Sequence, residues 1–176
     1  MQLRHTLYGL AFICAAIALG LTLAHVLEIP GKRQLSGEEW LLIQQTFYLG
    51  YAIVGAIAEV GGLLASIGIV ATERRQRVST FWPVISTIGF AGMLGTYWLG
   101  NRPLYDRIAS WSAQALPADW SVVRDRWDMA HSISTIFAAV AFGSLLAGFV
   151  AMRGGRNQRE PAAPTCPESR LQFDPS

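Results

Sequence analysis

The chain has 176 residues, 52% of them apolar and 15% charged, with a mean hydropathy of +0.32. Soluble domains carry roughly 25% charged residues, so the composition points to one membrane domain. A net charge of +2 offers no basic surface for nucleic acid, and two cysteines, Cys14 and Cys166, cannot form a CxxC pair or a zinc cluster.

Arg4 and His5 precede the first apolar run. Thr6 to Leu27 lacks Asp, Glu, Lys and Arg, and about 22 residues suffice to cross a bilayer core of ~30 Å. A signal peptide cleaved near Ala24 is the rival reading, disfavoured because the run exceeds an ordinary h-region. His25 and Glu28, three residues apart, share a helical face. Pro30 and Gly31 should end the helix. Ser36 with Glu39 fits a capping box for the next one.

The second span is expected at about 47–72, with Glu59 its only charge. Gln44, Tyr48, Tyr51, Gly55, Glu59, Gly62 and Ser66 recur every three or four residues. Such a stripe should face other helices, where its polar groups find partners and backbones approach closely. A basic turn at 73–77 leads to a third span at about 80–100, with Pro83 in its first turn. Asn101-Arg-Pro103-Leu should terminate it.

Residues 105–115 read as a short amphipathic helix in the membrane interface, with Leu104, Ile108, Trp111 and Ala115 on one face. Pro117 breaks it, and Asp119 is the expected N-cap of the last helix. That helix carries Trp120, Arg124, Trp127 and His131 on one face before a span at about 129–152. The expectation is therefore an all-α, integral membrane four-helix bundle over 1–152. An interfacial helix joins spans three and four, and 153–176 form a disordered cytoplasmic tail. Arg4, Arg74, Arg75 and Arg77 at one end place both termini in the cytoplasm of a bacterial inner membrane.

At the other end the chain gathers its chemical groups. His25 and His131 are candidate general bases or ligands, set against the simpler reading of interfacial histidines bonded to loop carbonyls. Glu59 is an intramembrane acid, by default a functional candidate; its alternative is a protonated carboxyl bonded to a neighbouring helix. Arg124 and Arg126 are candidate anion stabilisers, or ordinary loop ion pairs with Asp119, Asp125 or Asp128. Asn101 reads as a helix stop, and Trp120 and Trp127 as interface anchors, as readily as substrate contacts. His25, Glu28 and His131 could together ligate a metal, and the two histidines a haem, although no ligand repeat is present.

The motifs Asn101-Arg-Pro-Leu104, Pro117-Ala-Asp-Trp120 and Arg124-Asp-Arg-Trp-Asp-Met-Ala-His131 stand in a familiar order. So do Ala24-His-Val-Leu-Glu-Ile-Pro-Gly-Lys32 and Gln44-Gln-Thr-Phe-Tyr48. Over roughly Leu7 to Val150 the chain resembles the anthrone-oxygenase-like family, also catalogued as domain of unknown function 1772. The resemblance implies a small four-span membrane protein. In a few family members it implies oxidation of an anthrone to an anthraquinone by molecular oxygen, with no established cofactor. Its pattern falls on Asn101, Pro103, Trp120, Arg126, Trp127 and His131. Tyr105 stands where the family often has a second asparagine, and Ser134 where it often has an arginine. If those positions touch substrate, the anthrone chemistry does not carry over.

The resemblance implies an oxygen-dependent oxidoreductase acting on a small hydrophobic aromatic substrate. His131 or His25 would act as base, Arg124 or Arg126 would stabilise the anion, and Trp127, Trp120, Asn101, Tyr48 and Glu59 would line the substrate. The alternatives are a lipid- or quinone-binding bundle, an accessory subunit of a membrane complex, a homo-oligomer, and a metal or haem protein. The expected partners are the lipid bilayer and a small hydrophobic molecule, not nucleic acid.

Overall fold

A computed structural model describes residues 2–76 and 79–157; the expected tail over 153–176 lies largely outside the described residues. Helix α1 spans Gln2–Lys32 and α2 spans Gly37–Arg75. α3 spans Phe81–Thr96 and runs through a π turn, Tyr97–Asn101, into α4, Arg102–Ala109. A 3-10 turn, Ala113–Ala115, precedes α5, Trp120–Asn157. Among the described residues there is no strand.

Three helices are long and apolar enough to cross a membrane: Gln2–Lys32, Gly37–Arg75 and Trp120–Met152. The chain is accordingly an integral membrane protein. α3 has 16 residues, about 24 Å at 1.5 Å per residue, which falls short of a ~30 Å core by itself.

The helices pack as a ring in which α1 touches α2 and α5, and α3 touches α2 and α5. Neighbours run antiparallel. Phe12 meets Phe142 and Phe149 while His25 meets His131, and Ser66 bonds Ser86. Alanines fill the contacts between helices: Ala11, Ala15, Ala18, Ala58, Ala65, Ala138 and Ala141 are buried around Ile69, Phe90, Met93 and Leu145. Without a hydrophobic drive between helices in lipid, such small contacts supply the packing. Large apolar residues such as Ile13, Ile53, Ile57, Leu64 and Ile136 point outward, where hydrocarbon rather than water is their natural surrounding.

The stripe on α2 faces inward as its spacing requires. Gln44, Tyr48, Gly62 and Ser66 are buried, and Tyr51, Gly55 and Glu59 are half-buried. The capping box forms: Glu39 N–H donates to Ser36 Oγ at 3.3 Å, and Ser36 N–H to Glu39 Oε2 at 2.8 Å.

Local endings differ from the sequence reading in three places. Pro30 and Gly31 do not stop α1, which continues to Lys32. Proline removes one donor, and in the last turn the remaining bonds hold, including Arg33 N–H to Ile29 O at 3.0 Å. Asn101-Arg-Pro103 does not end α3 either. Arg102 N–H reaches back to Tyr97 O, five residues away, and the wider turn carries the helix past Pro103 into α4. The amphipathic segment is therefore helical only to Ala109, with Ser110 capping, rather than a separate helix over 105–115. Asp119 precedes α5, but its carboxylate takes the Arg107 guanidinium at 2.7 and 3.0 Å instead of the helix N-terminus.

A Cβ on Gly89 would lie 2.9 Å from the Ala141 nitrogen and the Phe137 oxygen, backbone atoms that cannot move aside, whereas a Cβ on Gly95 meets nothing within 4 Å. Gly89→Val should cost about 1–3 kcal/mol and lower the thermal unfolding midpoint in mild detergent. Gly95→Val should leave it nearly unchanged. Equal midpoints for the two variants would contradict this packing.

Candidate functional site

One end of the bundle is closed by a second apolar cluster of Trp40, Leu41, Ile108, Val123 and Trp127, with Leu35, Leu104, Trp111, Leu116 and Trp120 against it. Gln45 ties this cap together by donating its side-chain amide to Ile108 O at 3.2 Å and Trp111 O at 3.0 Å. Beneath the cap lies a polar cluster.

His25, from the last turns of α1, and His131, from α5, meet with ring centroids 4.1 Å apart. Each is 8% exposed. Tyr48 and Tyr51 of α2 flank His25 at 4.6 and 5.4 Å. Trp127, one turn before His131, lies 4.7 Å from it. The 3.6-residue period brings Trp127 and His131 onto one face, as their spacing indicates.

Hydrogen bonds decide which ring nitrogens are available. His131 Nδ1 lies 3.1 Å from Trp127 O, and a carbonyl only accepts, so Nδ1 carries the hydrogen. Asn101 Nδ2 is 3.0 Å from His131 Nδ1 and 3.1 Å from Nε2. Near-equal distances put this amide over the ring face, because in the ring plane it would collide with the carbon between the nitrogens. The contact is thus an N–H against the π face, and it leaves the in-plane lone pair of Nε2 open. His25 Nδ1 is buried with no hydrogen-bond partner. Asn101 reaches His131 because the π turn places it there, buried to 6% exposure. π turns recur at functional sites for this reason: one extra residue re-aims a side chain.

A charged group supports the pair. Lys32 Nζ lies 2.6 Å from Glu28 Oε2 and 4.5 Å above the Tyr48 ring. Tyr48 donates its hydroxyl to the same Glu28 oxygen at 2.8 Å. Lys32 is 6% exposed, so its cation depends on Glu28, which remains partly open to solvent. Sequence reasoning missed Lys32, although its i,i+4 spacing from Glu28 was a visible signal.

The structure thus gathers His25, His131, Asn101, Tyr48, Trp127 and Glu28. It keeps four other candidates apart. Trp120 packs in the cap, 6.0 Å from Trp40. Arg124 lies 5.1 Å from the Trp120 ring and binds Asp125 at 3.2 Å. Arg126 is exposed. Glu59 sits eleven residues past Tyr48, about 16 Å farther along α2, with no hydrogen bond or ion pair among the described residues.

The metal and haem readings fit poorly. Among the described residues no three His, Cys, Asp or Glu side chains converge as a ligand set, and Glu28 is committed to Lys32 and Tyr48. The histidine rings touch, so no macrocycle fits between them.

The Glu28 carboxylate accepts from both Lys32 and Tyr48, so the two bonds should be coupled. Tyr48→Phe is expected to cost about 1.5–3 kcal/mol, the usual worth of a hydrogen bond to a charged group. Adding Glu28→Gln should cost less than the sum of the two single changes, measured by denaturation in detergent. Strict additivity would mean that the bond is absent.

Comparisons with family models, curated proteins and solved structures give no match to this chain.

Proposed function

We propose that the protein is an oxygen-dependent oxidoreductase that removes a proton from a small hydrophobic aromatic substrate, with His25 and His131 as the acid–base pair. The observation that carries this reading is the contact of two buried imidazoles, with His25 Nδ1 unpartnered and the His131 Nε2 lone pair open. A base must reach the proton it takes with a nitrogen not already bonded.

In this reading an acidic C–H or O–H group enters between α1 and α5 from the bilayer. One imidazole takes its proton and the other, in ring contact, holds or passes it. The developing carbanion or phenolate is met by Lys32, the buried cation of the site, rather than by Arg124 or Arg126. The Trp127 carbonyl holds His131 in a single tautomer, and Asn101 covers the ring face. The reduced carbon supplies the electrons: an aromatic CH2 group and O2 give a carbonyl and water, with one oxygen atom retained in the product.

The same proposal takes α3, the π turn and α4 as a fourth crossing, 29 residues from Phe81 to Ala109. Arg4, Arg74 and Arg75 lie at the end opposite the histidines, which supports cytoplasmic termini in a bacterial inner membrane.

Oxygen uptake by purified protein, measured with a panel of anthrones and hydroquinones, tests the reading. A responsive substrate should lose roughly 10²–10⁴-fold of its rate in His25→Ala and His131→Ala, the usual range for a positioned base. Arg124→Ala should stay within a few-fold. No uptake across the panel, or full activity in both histidine variants, would leave a non-enzymatic binding bundle as the better account.

A further inference from the structure

A groove of about 660 Å³ runs between α3 and α5 on the outer surface of the bundle. Its floor is made of small residues, among them Gly95, Gly100 and Ala130, and its sides of Leu99 and Ile133. At the end nearest the cap it meets Arg126, which also borders a second groove of about 500 Å³ shared with Arg33, Asp125 and Asp128.

The charges around Arg126 are unequally served. Arg33 faces Asp125 and Asp128 at 3.9 Å each, and Arg124 binds Asp125 at 3.2 Å. Arg107 is held by Asp119, and Arg102 by Asp106. Among the described residues Arg126 has neither a hydrogen bond nor an ion pair. It is a free guanidinium at the head of an apolar channel.

We propose that this groove binds one acyl chain of an anionic phospholipid, with the phosphate on Arg126. From Ile133 to Arg126 the groove covers about 10 Å of helix at 1.5 Å per residue, most of one leaflet of a ~30 Å hydrocarbon core. Its volume falls within the range of about 300–1,000 Å³ typical of small-molecule sites. A guanidinium matches phosphate with paired donors, while glycine and alanine floors let a chain lie close to the backbone. The groove adjoins the histidine cluster, since Gly100 and Ala130, in contact with each other, immediately precede Asn101 and His131, but none of the cluster's residues lines it. It does not depend on the proposed oxidation.

The test is native mass spectrometry of the full chain in mild detergent. Dioleoyl phosphatidylglycerol and dioleoyl phosphatidylcholine are offered at equal concentration. The wild type should favour the anionic lipid about fivefold, the effect of one arginine near an anionic headgroup. Arg126→Gln should abolish that preference and Arg126→Lys should retain most of it. Gly95→Leu, at a position with open space around its Cβ, should fill the groove and reduce binding of both lipids. Circular dichroism melting would confirm that each variant is folded. Equal binding of the two lipids by the wild type, a preference that survives Arg126→Gln in folded protein, or undiminished binding by Gly95→Leu would each overturn the proposal.

Discussion

Burying two imidazoles against each other inside an apolar bundle is the constraint on which this end of the molecule depends. A polar ring away from water must find partners or lose several kcal/mol. The chain supplies them from four directions. Trp127 O orients His131, Asn101 covers its face, and Tyr48 and Tyr51 enclose His25. Glu28 bonds both Tyr48 and Lys32, so a cation sits beside the rings without being isolated. The tryptophan cap then closes the bundle over the histidines, while Glu28 keeps partial access to solvent. His25 Nδ1, Trp127 Nε1 and Asn101 Oδ1 are left without partners, and surplus hydrogen-bonding capacity in a buried place is what the proposed substrate needs. The far end of the bundle contrasts with this. There Tyr8 donates to the buried Glu73 at 2.9 Å, Ser66 meets Ser86, and the surrounding core is apolar, with alanines packed around Ile69, Phe90, Met93 and Leu145.

Much of this was legible in the chain. Hydropathy located the long helices, because hydrocarbon tolerates no unsatisfied backbone. The polar stripe on α2 told which face turns inward, and the spacing of Trp127 and His131 told that they lie together. Helix endings were harder to read. Pro30 and Pro103 look like stops, yet neither stops its helix: near a terminus a missing donor costs little, and a π turn absorbs the other. That turn is also why Asn101 reaches His131, and nothing in the letters Tyr-Trp-Leu-Gly-Asn announces it. The arginines misled for a different reason. On a helix Arg124 shares a face with His131 by spacing, but its long side chain folds back over the Trp120 ring toward Asp125, so shared face does not mean shared site. Glu59 stands inward on α2 as expected, yet it joins neither the histidine cluster nor the tyrosine–glutamate pair at the other end.

Fold and chemistry are tied together here by α3. By itself it is short for a bilayer, and it continues through the π turn into α4. The same continuation lifts Asn101 onto the histidine, sends Ile108 and Trp111 into the cap, and opens the glycine-floored groove behind them. A straight α-helix over the same residues would rotate Asn101 away from α5. The turn is therefore a shared element of helix path, site and groove, and the place where a single inserted or deleted residue would disturb all three.

Everything turns on whether His25 and His131 touch. The chain has three histidines, so a His5→Gln variant leaves only this pair. Magic-angle-spinning NMR of that variant in lipid, with histidine labelled by carbon-13 and nitrogen-15, reports directly on the contact. Ring centroids 4.1 Å apart predict strong cross-peaks between two distinct imidazole spin systems, absent when His131 is replaced by Gln. Two imidazole signals with no cross-peak between them would contradict the paired-histidine site and the chemistry built on it.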